Sequence, residues 1–376
     1  MNKILILTLC CAWSGVYAGA WTWQNPLPQG NDLWDVEFAT AKTGWAIGSG
    51  GTILKTEDGG GSWFPQQSGA PMTLKSCSFI DSMTGWIAGD SGIILLTADG
   101  GATWNIQQSG TLAPLYSCDF TDEHNGWAMG SFGHIMRTID GGESWFPESS
   151  HTDKWLHACG FADPQTGWAA GSKGAIIHTA NSGKTWVPQV SGTDKDIYAF
   201  SYAGSGTAYA AGMYGTILKT VDNGATWTNL RSNTDKTFHL CRFIDPLKGW
   251  VGGENGLVLS TADGGMTWER EDIGTVNYIY SGCFLNDRLG WVVGEKGAII
   301  KYSEANAPAV HFSTPARTHS PGRDRRAQLI PWLPKTPGKK NLFAASGLYT
   351  FSERRCAGTR AAGAYCLVKK KARTNR

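Results

Sequence analysis

A tryptophan returns at intervals of 41 residues, six times without an insertion: Trp63, Trp104, Trp145, Trp186, Trp227 and Trp268. Each closes a near-copy of one octet: TEDGGGSW, TADGGATW, TIDGGESW, TANSGKTW, TVDNGATW and TADGGMTW. A fixed period in the forties, in units too short to bury a core alone, marks a stacked or circular repeat fold. The same step finds Gly44-Trp45, Gly85-Trp86, Gly126-Trp127, Gly167-Trp168, Gly249-Trp250 and Gly290-Trp291, with Ala208-Tyr209 in the fifth slot, so there are seven units. Each continues as a Gly pair and an apolar run, as in GSKGAIIHT and GEKGAIIKY. Twelve of the 18 tryptophans belong to the repeat and call first for a packing explanation.

Four short strands can be read in a unit: TLKSCSF, GWIAG, GIILLT and a fourth starting at the box tryptophan, TWNIQQS. Turn residues separate them. Four antiparallel strands per unit of this length make a propeller blade, so the fold class is all-β, a seven-bladed β-propeller over residues 21–302. The octet falls in the turn between third and fourth strands. There Asp58, Asp99, Asp140, Asn181, Asp222 and Asp263 can accept bonds from backbone N–H groups of their own turn, and Gly supplies positive φ. Each box offers a single acidic residue at most at its repeated Asp/Asn position and no cluster of ligands, so no metal is expected there. The seventh unit stops at Tyr302 without a box. The segment WTWQNPLPQG after residue 20 resembles a fourth strand, with Trp21 or Trp23 as its tryptophan, and is expected to pair into blade seven and close the ring.

The charge balance is uneven. Residues 303–376 hold 15 Lys+Arg against 3 Asp+Glu, and residues 1–302 hold 18 against 28: an acidic body with a basic tail. An acidic propeller gives nucleic acid no footing. The tail, Pro-, Arg- and Lys-rich without strand pattern, admits three readings: an arm for anionic surfaces, a disordered extension, or a shifted reading frame. Residues 1–20 read as a secretory signal, with Lys3, the run ILILTLCCAW and Ala18-Gly19-Ala20 as cleavage site. The mature protein is therefore expected to be exported, to periplasm or exterior, and to act as a monomer.

The pattern GW-x-x-G-x-x-G-x-I-φ-x-T-x-D-G-G-x-T-W over seven units resembles the photosystem II stability/assembly factor family, seven-bladed propellers built from bacterial neuraminidase (Asp-box) repeats. The resemblance covers residues 21–302. It implies a non-enzymatic scaffold that binds a protein client, a newly made membrane-complex subunit, during assembly. In a photosynthetic organism it implies the thylakoid lumen.

Function is expected where the repeat breaks its pattern. One slot on the first strand reads Trp34, Lys75, Tyr116, His157, Tyr198, His239 and Tyr280, each after an apolar residue, so strand alternation turns it the other way. First strands line a propeller's channel, and these side chains are read as an aromatic, partner-binding ring at one mouth. The plainer alternative is that each packs against the next blade. The turns between second and third strands vary too, and Phe132, Lys173, Tyr214, Glu254 and Glu295 are taken as further candidates on the same face. His157 and His239 lie two units apart with no ligand-spaced neighbours, so neither metal nor cofactor is expected. Cys77, Cys118, Cys159 and Cys241 share a slot with Val36, Phe200 and Gly282, which reads as a small buried position. The rival function is a sialidase-like glycoside hydrolase or a carbohydrate-binding propeller. Catalysis of that kind needs an arginine cluster and inserted loops. Only Arg137, Arg231, Arg242, Arg270 and Arg288 occur in the repeat region, and the even spacing leaves no room for insertions.

Overall fold

The computed structural model describes residues 19–24 and 30–304. The expected signal segment up to residue 18 and the basic tail from residue 305 lie outside the described residues. Those described form seven four-stranded antiparallel sheets. Blade two shows the pattern: Leu74–Phe79, Gly85–Gly89, Ile94–Thr97 and Asn105–Gln107. The innermost strands touch their neighbours all the way round, Leu33–Phe38 meeting both Leu74–Phe79 and Ile279–Asn286, so the ring is closed. The seventh sheet takes its outer strand from the N-terminus: Ala20–Trp23 pairs antiparallel with Ile299–Ser303, Trp21 opposite Tyr302.

The fourth strands begin one residue later than expected. In blade two the strand starts at Asn105, because the Trp104 ring is held against the blade's core and its backbone still belongs to the turn. The box bonds repeat from blade to blade. In the first, Thr56 Oγ1 donates to Asp58 Oδ1 at 2.9 Å, Gly60 N–H donates to Thr56 Oγ1 at 2.8 Å, and Ser62 N–H donates to Asp58 Oδ1 at 2.9 Å. Asn181 makes the same set in blade four. Donors from Thr103, Thr226 and Thr267 hold Asp99, Asp222 and Asp263 down to about 2. The boxes are thus turn staples, their acceptors spent on their own backbone.

Each blade junction is an aromatic sandwich. The Gly-Trp ring of one blade stacks on a Phe from the next blade's first strand: Trp45 on Phe79 at 3.8 Å, Trp86 on Phe120 at 3.7 Å, Trp127 on Phe161 at 3.7 Å and Trp250 on Phe284 at 3.9 Å. The box tryptophan meets the same Phe edge-on, as Trp104 meets Phe79 at 6.1 Å. Edge and face contacts of this kind add to what area burial already contributes. The glycine before each of these tryptophans has a steric reason: a Cβ on Gly126 would lie 2.2 Å from the Phe120 ring. In blade seven the edge-on partner of Phe284 is Trp21, at 6.2 Å and 82°. Trp21, rather than Trp23, stands in for the missing box tryptophan.

Candidate functional site

Strand direction sorts the loops. First strands start, and second strands end, on one face, where the 2–3 turns and inter-blade links also lie: Leu33 pairs with Gly48, and Ser49 N–H donates to Asp32 O. The boxes occupy the opposite face, beyond Thr56, which pairs with Gly44.

The seven variable side chains all line one axial cavity of about 540 Å³, at the link-bearing mouth. Each is half-buried. They touch one another as a collar: Trp34 stacks on Tyr280 at 4.3 Å, Tyr198 on His239 at 4.8 Å, and His157 sits 5.0 Å from Tyr198 and 5.4 Å from Tyr116. His239 faces Tyr280 edge-on at 5.8 Å, and Lys75 Nζ lies 3.8 Å from the Trp34 ring centroid. Two members are tied to their own blade's turn, through Trp34 Nε1 to Ser49 Oγ at 3.1 Å and His157 Nε2 to Ser172 Oγ at 3.2 Å. Burial pushes His157 below its ordinary value and His239 to about 4, helped there by His157, while burial pushes Tyr280 up to about 12. At neutral pH the rings are uncharged, and Lys75 is the collar's one cation. Adjacent rings held this way form a rigid, amphipathic rim suited to a peptide or other flat ligand.

The turn candidates divide. Phe132 and Tyr214 project outward, 67% and 63% exposed, from the left-handed position of their turns, both at φ 55°. A bulky side chain there costs energy, and such strain concentrates at functional positions. Lys173, also at φ 55°, is exposed. Glu254 and Glu295 are turned inward by local bonds: Thr237 N–H donates to Glu254 Oε2 at 3.3 Å, and Tyr278 N–H to Glu295 Oε2 at 3.1 Å. They brace the inter-blade links.

Sequence reasoning passed over two sets of residues. Trp155, on a link, is 43% exposed and meets Phe132 edge-on at 6.0 Å and Tyr116 at 5.9 Å, widening the collar into a patch over blades three and four. Its signal was present, since the slot otherwise holds Asp32, Thr73, Pro114, Asp196, Thr237 and Tyr278. Below the collar, the next inward slots form a polar wall. Each innermost strand is an edge whose outward N–H groups need acceptors. Asp35 accepts from Cys77 N–H at 2.9 Å, Glu37 from Phe79 N–H at 2.9 Å and Asp119 from Phe161 N–H at 2.7 Å, while Ser76, Ser78, Ser117 and Ser201 serve the same purpose. Arg242 points into the lumen from blade six. Burial opposes its charge, while the acidic groups around it, Cys283, Glu37, Asp35 and Asp119, shift it the other way, for a net rise.

Glu37 retains some surface on the lumen, where the inner strands of all seven blades surround it. Burial pushes it up to about 8, with Arg242 opposing and Asp35 adding to the shift. The folded chain therefore keeps a proton that the unfolded chain releases near the ordinary carboxylate value of 4.5. Stability is lost as pH rises from there through about 8. Glu37→Gln keeps the acceptor for Phe79 and removes the charge. Its melting temperature should match the parent's at about pH 5 and exceed it by several degrees at about pH 9. Thermal unfolding followed by circular dichroism at both values checks this, and an offset independent of pH would refute it.

Fold and site together define a class: a seven-bladed Asp-box propeller with a collared axial channel. The chain belongs to the family described as photosynthesis system II assembly factor YCF48, whose model matches residues 17–114, 104–234 and 223–307. The chloroplastic photosystem II stability/assembly factor HCF136 of Guillardia theta is 37% identical over 70 residues, a match spanning 18% of this chain and 18% of that protein's length. Among solved structures, YCF48 bound to D1 peptide is similar at a TM-score of 0.65 and 22% identity, covering 76% of this chain and 94% of the other. YCF48 from Cyanidioschyzon merolae gives 0.66 and 20%, covering 76% and 100%. A GH74 xyloglucanase from Xanthomonas campestris gives 0.62 and 11%, covering 78% and 55%. At these identities the structures speak for the fold alone.

Proposed function

We propose that the protein is an exported, non-enzymatic scaffold that binds a peptide segment of a client protein on its link-bearing face during assembly of a membrane or envelope complex. The observation that carries this reading is the collar of Trp34, Tyr116, His157, Tyr198, His239 and Tyr280, uncharged at neutral pH and flanked by the strained, exposed Phe132 and Tyr214. Family membership supports it, as does the similar YCF48 propeller that holds a D1 peptide. Lys173 lies on the same face and offers a charge at its edge.

The rival reading, a glycoside hydrolase, draws on the GH74 neighbours. Against it, Asp35, Glu37 and Asp119 each commit an oxygen to a neighbouring strand's N–H, which is a structural duty rather than general acid–base work.

Immobilised mature protein should capture a discrete partner from the organism's own envelope fraction. The triple substitution Tyr116→Ala, Tyr198→Ala and Tyr280→Ala should weaken that capture by at least about tenfold, since aromatic anchors dominate such interfaces, while the melting curve stays cooperative. Retention at full strength would place the client elsewhere, and turnover of xyloglucan or a sialoside would favour the enzyme.

A further inference from the structure

The junction between blades six and seven, on the Asp-box face and away from the collar, lacks two parts that blades five and seven both supply, although blade two also does without the first, with Leu96 in its slot. In three blades a cation from the third strand covers the aromatic ring: Lys55 lies 5.6 Å from the Trp45 centroid, Lys219 5.3 Å from Tyr209 and Lys301 5.4 Å from Trp291; in blade four the imidazole of His178, its pKa lowered by burial, packs at 4.8 Å on Trp168 instead. In blades five and seven the cation and the ring share one acceptor in the next blade's box. Lys219 Nζ and Tyr209 Oη both donate to Gly264 O, at 2.9 and 3.2 Å; Lys301 Nζ and Trp291 Nε1 both donate to Gly59 O, at 2.9 and 3.2 Å.

In blade six the cation's slot holds Ser260, and the next blade has no box, because Tyr302-Ser303-Glu304-Ala305-Asn306 stands where T-x-D-G-G would be. A cavity of about 330 Å³ opens there, lined by Trp250, Ser260, Asp263, Glu271 and Tyr302. Trp250 is 5% exposed, and its Nε1 has no hydrogen-bond partner among the described residues. In blades two, three and seven that N–H goes to the following box: Trp86 Nε1 donates to Gly141 O at 2.8 Å, Trp127 Nε1 to Ser182 O at 3.1 Å and Trp291 Nε1 to Gly59 O at 3.2 Å. Trp45 and Trp168 are also without a partner among the described residues, but each faces an intact box and has a third-strand side chain over its ring, Lys55 on Trp45 and the imidazole of His178 on Trp168.

The carboxylate has been left behind too. In blade three Arg137 pairs with Glu148 at 3.6 Å. Three repeats on, the same two slots hold Ser260 and Glu271. Among the described residues Glu271 receives neutral donors alone, Ser260 Oγ at 2.7 Å and Trp21 Nε1 at 3.1 Å. Lys248, the cation on the cavity's edge, is engaged by Asp287. What is missing is one cation over an indole face beside a carboxylate, and one carbonyl for the indole N–H.

We propose that this junction is a binding site for a lysine- or arginine-bearing peptide segment of a partner. The side chain lies over Trp250 towards Glu271, and a backbone carbonyl accepts from Trp250 Nε1. The ligand reproduces from outside what Lys219 or Lys301 and the following box supply from within. A desolvated cation over Trp, held by a carboxylate, is among the stronger exposed-edge contacts available.

The test uses the full mature chain and the indole N–H resonance of Trp250, assigned with Trp250→Phe. Acetyl-Ala-Arg-Ala-amide should move it saturably, and the isosteric citrulline peptide should not. Raising the salt from about 0.05 to about 0.5 M should weaken the response, and Glu271→Gln should weaken it about tenfold. Ser260→Lys, which restores the repeat's own cation, should abolish it while raising the melting temperature. The collar triple variant should bind as well as the parent, which separates this site from the client face. A resonance that the arginine peptide cannot move, an equal response to citrulline, or undiminished binding by Ser260→Lys would each overturn the proposal.

Discussion

A chain lacking residues 20–24 melts at least about 10 °C below the intact one. The deleted strand supplies four paired residues to blade seven, the edge-on Trp21 against Phe284, the Trp21 contact with Tyr302 at 5.1 Å and the bond to Glu271. Truncating one well-packed tryptophan costs roughly 3 kcal/mol or more, and the deletion removes two while exposing the edge of Ile299–Ser303. At about 2–4 °C per kcal/mol for a domain somewhat smaller than this one, a loss of that size is read easily by calorimetry. Trp21→Ala alone should give about half the effect, and Trp23→Ala less, because Trp21 fills the box tryptophan's place. A melt unchanged by the deletion would mean that the ring closes without this strand.

The second large effect is expected at Phe120. Its ring is held between Trp86, stacked at 3.7 Å, and Trp145, edge-on at 5.9 Å, and lies flat over Gly126. Phe120→Ala removes both aromatic contacts of one junction and leaves a cavity beside two buried indoles, at a cost of roughly 3–5 kcal/mol. Phe64, 63% exposed on an outer strand, is the control. Phe64→Ala should stay within about 0.5 kcal/mol. Chemical denaturation of both variants checks the contrast, and equal losses would show that the sandwich is not what joins the blades.

The repeat made most of the fold legible. A tryptophan fixed at 41-residue intervals can only be architecture, and the aromatic sandwich explains why both it and the Gly-Trp pair recur. The collar was legible for the opposite reason: one slot between constant neighbours changes freely from Trp34 to Tyr280. What escaped depended on contacts that no single unit contains. Glu37 and Asp119 look like surface charges in one strand and become edge acceptors only when the neighbouring blade arrives. Arg242 stood among the propeller's few arginines, but nothing in the sequence placed it opposite those carboxylates. Glu254 and Glu295 shared the turn slots with Phe132 and Tyr214, yet a carboxylate reaches back to a link N–H where a ring cannot. The Ser260 substitution could have been read from the slot of Lys55 and Lys219, but its meaning required knowing that the following box is absent.

The clasp of Ala20–Trp23 on Ile299–Ser303 joins the first part of the wheel to be synthesised to the last. Until the final two strands emerge, the opening segment has nowhere to dock, so every incomplete product carries an open seam and an unmatched pair of indoles. Such fragments leave a strand edge and apolar surface open to solvent, whereas the finished wheel covers them. The architecture thereby marks its own completion in the seventh sheet, whose outermost strand comes from the opposite end of the ring's sequence.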